Sequence, residues 1–225
     1  MKSVVLLSGG MDSTVNLYEA QKRGEVVLAL TFDYGQRAAP KEIQASQALA
    51  SSLGIAHKVL PLPFFKELGT SSLIDTQKAL PLQNEVSIDD HQASIKTAKS
   101  VWVPNRNGIF LNIAAGFAEA LGAQVVVPGF NLEEASTFPD NSLKFMGQLT
   151  ESLSFSTSNQ VRVECSTVSM NKTEIVAFGQ KLGVNWAKIW PCYQAGSQWC
   201  GQCESCQRAA RAFKANGLSF ASLQN

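Results

Sequence analysis

An apolar run at residues 4–7 stops abruptly at Ser8-Gly9-Gly10-Met11-Asp12-Ser13, and a helical pattern takes over across residues 13–23. A β-rich run over 3–7, a tight glycine loop and a helix in immediate succession leave little choice: the chain opens with a βα unit. A second apolar run at 26–32 reads as a strand buried on both faces, and Pro40 stands where a helix over 40–53 would begin. Another strand is expected at 57–60, with His57 at its edge. Strand and helix alternating in this way predict a parallel sheet covered by helices, with right-handed crossovers.

Residues 69–101 are polar with little periodicity, which predicts an excursion outside the sheet with His91 in a solvated loop. Phe110, Ile113, Ala114, Phe117 and Leu121 then recur at helical spacing and mark one apolar helix face, ended by Gly122. A strand is expected at 124–127, a helix at 139–155 and a strand at 161–165. Asn171 is placed to cap a helix that turns Ile175, Phe178, Gly179 and Leu182 inward, and a last helix is expected near 204–216.

A glycine loop between a parallel strand and a helix N-terminus offers backbone N–H groups and the positive end of the helix dipole to an anion. Ser8, Gly9, Gly10, Met11, Asp12 and Ser13 occupy that place. Two glycines let the backbone approach phosphate closely, and Ser8 and Ser13 add hydroxyls. The Lys-Ser/Thr ending of a Walker loop is missing, which argues against ordinary γ-phosphate hydrolysis. Asp12 would repel phosphate unless a cation intervenes, so it either contacts magnesium or braces the loop. The stretch resembles the Ser-Gly-Gly-x-Asp-Ser motif of the PP-loop ATP pyrophosphatases. That resemblance implies adenylation of a substrate oxygen by ATP, with release of pyrophosphate.

Of five cysteines, Cys192, Cys200, Cys203 and Cys206 form the pattern C-x7-C-x2-C-x2-C. Four thiolates can complete tetrahedral Zn2+, Gly201 eases the turn, and a closed set leaves no position for water, so such a zinc is structural. A free-thiol cluster, a redox pair and an iron–sulfur centre are the other readings. Cysteines in a cluster, with no leader expected from the first residues, suit a cytoplasmic metal site better than disulfides. Cys165 reads as a small buried side chain in a strand.

The 225 residues carry 19 Lys plus Arg against 18 Asp plus Glu, a formal charge of +1. Direct nucleic-acid binding is therefore disfavoured. Trp186, Trp190 and Trp199 lie near the cysteines. A zinc-dependent RNA-binding module is thus the reading from a different class, and it would need a basic face interleaved with those aromatics. No stretch approaches the ~18 apolar residues of a membrane span.

Taken together, residues 8–13, Phe32-Asp33-Tyr34-Gly35-Gln36-Arg37, Val103-Pro104-Asn105-Arg106-Asn107-Gly108-Ile109-Phe110-Leu111, Lys172-Thr173-Glu174-Ile175-Val176 and Trp190-Pro191-Cys192-Tyr193 with Cys200-Gly201-Gln202-Cys203-Glu204-Ser205-Cys206 resemble the QueC family of 7-cyano-7-deazaguanine synthases, nearly end to end. The resemblance implies an α/β, Rossmann-like PP-loop domain of the adenine-nucleotide alpha-hydrolase type over residues 1–185, with a C-terminal zinc-binding helical lobe over 186–225 packed on it. It implies an ATP-dependent C–N ligase of queuosine biosynthesis that takes 7-carboxy-7-deazaguanine and ammonia to the nitrile through adenylated acid and amide. ATP with Mg2+, structural Zn2+, a cytoplasmic setting and a homodimer come with it.

Catalytic roles are implied for Asp12, Ser13, Arg106 and Lys172, and the ligand pocket is expected to draw on Asp33, Tyr34, Gln36, Arg37, Asn105, Asn107, Gly129 and Asn131 beside the loop. Arg106 brings a planar cation suited to phosphate or carboxylate, or else caps a helix; Asn131 binds ligand or closes a turn. Lys172 would neutralise phosphate, or else is a surface lysine. The chain departs from the family pattern at Ala38, where His is common. It departs again at Ser136-Thr137-Phe138-Pro139-Asp140-Asn141-Ser142, which lacks the usual Cys and Arg. A PP-loop ligase joining a related carboxylate to another amine is the nearest alternative.

Overall fold

Val4 and Val5 point to opposite sides of a strand, and each meets a different core. Val4 packs with Leu30, Phe32 and Val126, whereas Val5 and Leu7 pack with Val15, Ala29 and Ile175. A strand apolar on both faces has to lie between two helical layers, and this one does. The computed structural model describes residues 1–69, 71–86, 88 and 91–224. Its strands are β1 (Lys2–Leu6), β2 (Glu25–Asp33), β3 (His57–Pro61), β4 (Val125–Val127) and β5 (Arg162–Val163). They form a sheet in the order β3-β2-β1-β4-β5, with every neighbouring pair parallel.

Helices α1 (Met11–Arg23), α2 (Ala39–Ser52), α7 (Lys172–Leu182) and α8 (Glu204–Ala215) build the Val5 side, and α4 (Arg106–Ala120) and α6 (Leu143–Ser156) build the other. Asn171 caps α7 as expected, its side chain accepting from the Glu174 amide while Glu174 reaches back to the Asn171 amide. Ile175, Val176 and Gly179 are buried and Phe178 and Leu182 pack at the margin. On α8, Cys206, Ala209, Ala212 and Phe213 repeat at helical spacing and all face the core. That face joins residues 186–225 to the core shared with α1 and α7. Burying Phe213 contributes about 1.5–3 kcal/mol to the attachment.

The apolar face expected on α4 is rotated. Leu111, Ala114, Ala115 and Ala118 are its innermost residues, whereas Phe110, Ile113 and Phe117 are half-buried and Leu121 is exposed. Small alanines let the helix lie close to β1 and β4, and the larger side chains then spread along its flanks. The excursion at 69–101 does leave the sheet, but it is packed: Leu73, Leu80, Val86 and Val101 are buried and α3 (His91–Val101) lies within it. His91 therefore opens a helix rather than a loop. Arg37 fastens this segment, its Nε donating to the Ser72 carbonyl at 2.7 Å and its Nη2 to the carbonyls of Asp75 and Lys78. The helix expected at 139–155 is divided, with a 3-10 turn at Pro139–Asn141 before Ser142 caps α6 through the Phe145 amide. A short helix, α5 (Leu132–Ala135), precedes it. β5 ends before Cys165, which is half-buried beyond the strand with its thiol near the Phe130 carbonyl. No helix among the described residues is long and apolar enough to cross a membrane.

Candidate nucleotide-binding site

The sheet runs from β1 to β2 and β3 on one side and from β1 to β4 and β5 on the other. Ligands of such sheets gather outside the carboxyl ends of the strands where the order reverses. Here that point is the end of β1, and residues 8–13, the turn after β2 and the turn after β4 converge on it. They enclose a cleft of about 230 Å³.

Gly10 stands at the N-cap of α1 with no side chain capping the helix, so the first-turn N–H groups face the cleft. Ser8 and Ser13 hold the loop shut, their hydroxyls 3.0 Å apart, and Ser13 Oγ also accepts from the Ser8 amide. Gly9 takes a φ of +73° and lies against α2, where a Cβ would stand 2.8 Å from Ala45 Cβ. Its carbonyl accepts from the Trp190 amide at 2.7 Å, which fastens the loop to the cysteine-rich segment.

Gly129 closes the opposite wall. A Cβ there would come within 2.6 Å of the Ser13 nitrogen, so the first turn of α1 can sit here only against glycine. Gly129→Ala is expected to destabilise the fold by about 1–3 kcal/mol and to push the loop out of place. Urea unfolding together with ATP titration checks this; a variant with unchanged affinity would show that the wall gives way.

Lys172 is buried at the first residue of α7, not on the surface. Its Nζ lies 2.5 Å from Asp12 Oδ2 and 2.8 Å from Glu134 Oε1, and Asn131 Nδ2 donates to the same Asp12 oxygen at 3.3 Å. Burial pushes the Asp12 carboxyl up to about 6, Lys172 opposes that, and the nearby Glu134 adds to it. Burial also works against the Lys172 charge, but the two carboxylates more than offset it and keep the ammonium charged. Asp12 Oδ1 is buried with no hydrogen-bond partner among the described residues. A desolvated carboxylate oxygen left bare at the 8–13 loop fits contact with a divalent cation.

Arg106 opens α4 and reaches Tyr34 Oη at 3.2 Å through Nη1. It has no ion-pair partner among the described residues. A half-buried guanidinium of this kind, facing a cleft, suits a phosphate or a carboxylate. Tyr34, Gln36, Arg37, Asn107 and Gly129 also line the cleft, while Gly9, Asp33, Asn105 and Asn131 do not. Asp33 Oδ1 accepts from the Gly35 amide, Asn105 takes a φ of +49° at the N-cap of α4, and Asn131 caps α5 through the Glu134 amide. Glu42, Glu134, Asn141 and Tyr193 line the cleft without having been singled out from the sequence. Position within a motif could have pointed to Asn141 and Tyr193; the two glutamates sit in ordinary helical sequence and gave no signal.

The Sγ atoms of Cys192, Cys200, Cys203 and Cys206 all lie within 4.8 Å of one another, with Cys200 and Cys206 4.0 Å apart. Four sulfurs at about 2.3 Å from one ion would stand about 3.8 Å apart, so the set fits tetrahedral zinc. Trp186 and Trp199 are buried around Phe213, and Trp190 Nε1 donates to the Gln194 carbonyl. Trp186 and Trp199 thus pack the lobe, whereas Trp190 is half-buried and lines the cleft.

A crevice at the strand-order reversal, headed by this loop and backed by a four-thiol lobe, defines a PP-loop α/β protein. The model of queuosine biosynthesis protein QueC matches residues 2–217. A 7-cyano-7-deazaguanine synthase of Bdellovibrio bacteriovorus is 62% identical over 94% of this chain and 92% of its own length. One from Pelotomaculum thermopropionicum is 50% identical over 98% and 100%. The chain belongs to the QueC family.

Proposed function

We propose that the chain converts 7-carboxy-7-deazaguanine and ammonia to 7-cyano-7-deazaguanine at the expense of two ATP. The observation that carries this is the convergence of the 8–13 loop, Lys172 and Arg106 on one cleft in a chain 62% identical to a synthase of that name. A carboxylate is a poor electrophile. Its oxygen attacks the α-phosphorus of ATP and pyrophosphate leaves; ammonia then adds to the acyl carbon, AMP leaves and the amide forms. The amide oxygen is adenylated in turn, and loss of AMP and a proton leaves the nitrile.

The first-turn N–H groups of α1, with Ser8 and Ser13, hold the phosphates, and Lys172 offsets the charge that builds as pyrophosphate departs. Arg106 aligns the attacking carboxylate. Mg2+ carried in with ATP would be held by Asp12 and would supply charge neutralisation at the phosphates. The four cysteines would hold Zn2+, which supplies rigidity to the 186–225 lobe beside the 1–185 body. A cytoplasmic homodimer goes with this reading on the family resemblance.

The test is incubation with ATP, magnesium, ammonium and the acid, with products read by mass spectrometry. AMP, pyrophosphate and the nitrile are expected, two AMP per nitrile. ADP as the nucleotide product, or no turnover of the acid, would sink the proposal.

A further inference from the structure

Glu42 lies on α2, in the wall of the cleft next to the turn after β2. Its Oε2 accepts from Gln36 Nε2 at 2.8 Å, and Gln36 is itself fixed at both ends of its amide. Gln36 Oε1 accepts from the Tyr34 amide at 3.0 Å and its Nε2 also donates to the Phe32 carbonyl at 3.1 Å. The carboxyl group is therefore held in one orientation by a side chain that cannot follow it elsewhere. No cation stands within ion-pair distance of Glu42, and Oε1 has no hydrogen-bond partner among the described residues. Burial pushes the group up to about 7, against the help of Gln36 and the more distant Arg106 charge.

Aromatic side chains share the cleft with it. Phe32 and Phe110 stack with centroids 4.2 Å apart, and Tyr34 packs against Phe110 at 5.4 Å. Phe32, Tyr34 and Phe110 all line the same cleft. Glu42 is half-buried, and its Oε1, which takes no hydrogen bond from the described residues, is open to a donor supplied by a ligand. Aromatic side chains beside one fixed acceptor form a site for a planar heterocycle that presents an N–H edge.

We propose that Glu42 is a specificity-determining residue that accepts a hydrogen bond from the amino edge of a purine-like ring bound in the cleft. The inference rests on the synthase reading, in which two such rings enter the site: the adenine of ATP, through its 6-amino group, and the deazaguanine acid, through its 2-amino group. Both are the same chemistry to a carboxyl oxygen. Gln36 and Glu42 then form a relay in which the amide sets the carboxyl and the carboxyl reads the ring.

The test is Glu42→Gln, which keeps an oxygen for Gln36 and the volume of the side chain, with folding verified by circular dichroism and thermal unfolding. Calorimetric titrations use a non-cleavable ATP analogue, the same analogue lacking the 6-amino group, 7-carboxy-7-deazaguanine, and that acid lacking its 2-amino group. The expected result is a loss of about tenfold or more for one amino-bearing ligand. That loss should vanish when the same ligand lacks its amino group, and the ligand affected names the source. Equal affinities for wild type and variant on both rings would overturn the inference, as would a loss that persists without the amino groups. Wild-type protein that binds the ATP analogue but not the acid counts against the substrate reading alone, because the adenine arm still reports on Glu42. Wild-type protein that binds neither removes both.

Discussion

Lys172→Met is expected to lower stability by about 3–5 kcal/mol and to cut kcat/KM by about two to three orders of magnitude. Methionine keeps most of the aliphatic stem but leaves Asp12 and Glu134 facing each other without the ammonium between them. The cost is dominated by the buried Asp12 carboxylate, with Glu134 half-buried beside it, and it therefore depends on pH. Asp12 already titrates near 6 in the folded chain against an ordinary 3.8, because burial raises it further than Lys172 lowers it. Removing Lys172 raises the folded value again. An acid whose folded pKa lies above its unfolded one binds more protons when folded, so stability falls as pH rises from the unfolded value through the folded one. The variant should consequently lose more stability relative to wild type at pH 8 than at pH 5. Its acid limb in kcat/KM should move to higher pH. Urea unfolding at the two pH values and a pH–rate profile check both. An equal stability loss at each pH would mean that Lys172 acts by packing and not by charge.

Lys172 also shows what could and could not be read before the fold was known. As a letter in Lys172-Thr173-Glu174-Ile175-Val176 it matched a family pattern, but a lysine in a first helical turn is ordinarily solvated. What buries it is the meeting of α7 with the start of α1 and the α5 turn, contacts between residues some 160 and 38 positions apart. Local signals carried much of the architecture: strand runs, the glycine loop, the Asn171 cap and the cysteine spacing each report on their own few residues. The rotated face of α4 was not legible because its apolar residues go nearly all round, and which stripe turns inward depends on how closely alanines let the helix approach. The packed segment around Leu73 and Leu80 was missed because its order comes from Arg37 reaching across to backbone carbonyls, with no periodicity of its own. Glu42 was silent for a similar reason. A glutamate in a helix is unremarkable until the fold places it against Gln36 inside a cleft.

Cys203→Ser is expected to abolish zinc binding by the cluster and, with it, to cost more than about 4 kcal/mol of stability. Cys203 is fully buried at the N-cap of α8, so its sulfur anchors the helix whose other buried residues hold the lobe to α1 and α7. A serine oxygen is a poorer and shorter ligand than a thiolate, and three remaining sulfurs leave the ion open to water and to chelators. The effect should not stay in the lobe. Cys192 follows directly on Trp190 and Pro191, which line the cleft, and the Trp190 amide donates to the Gly9 carbonyl of the 8–13 loop. Loosening the cysteine end frees that contact, so ATP affinity should fall in the same variant although no cysteine touches the nucleotide site. Elemental analysis, thermal unfolding with and without chelator, and titration with the ATP analogue measure the three losses. Cys165→Ser, beyond β5 and outside the cluster, provides the comparison and should keep its zinc. Zinc retained at one ion per chain in Cys203→Ser would remove the four-sulfur site. Zinc lost with unchanged ATP affinity would show that the Gly9 contact does not couple the lobe to the loop.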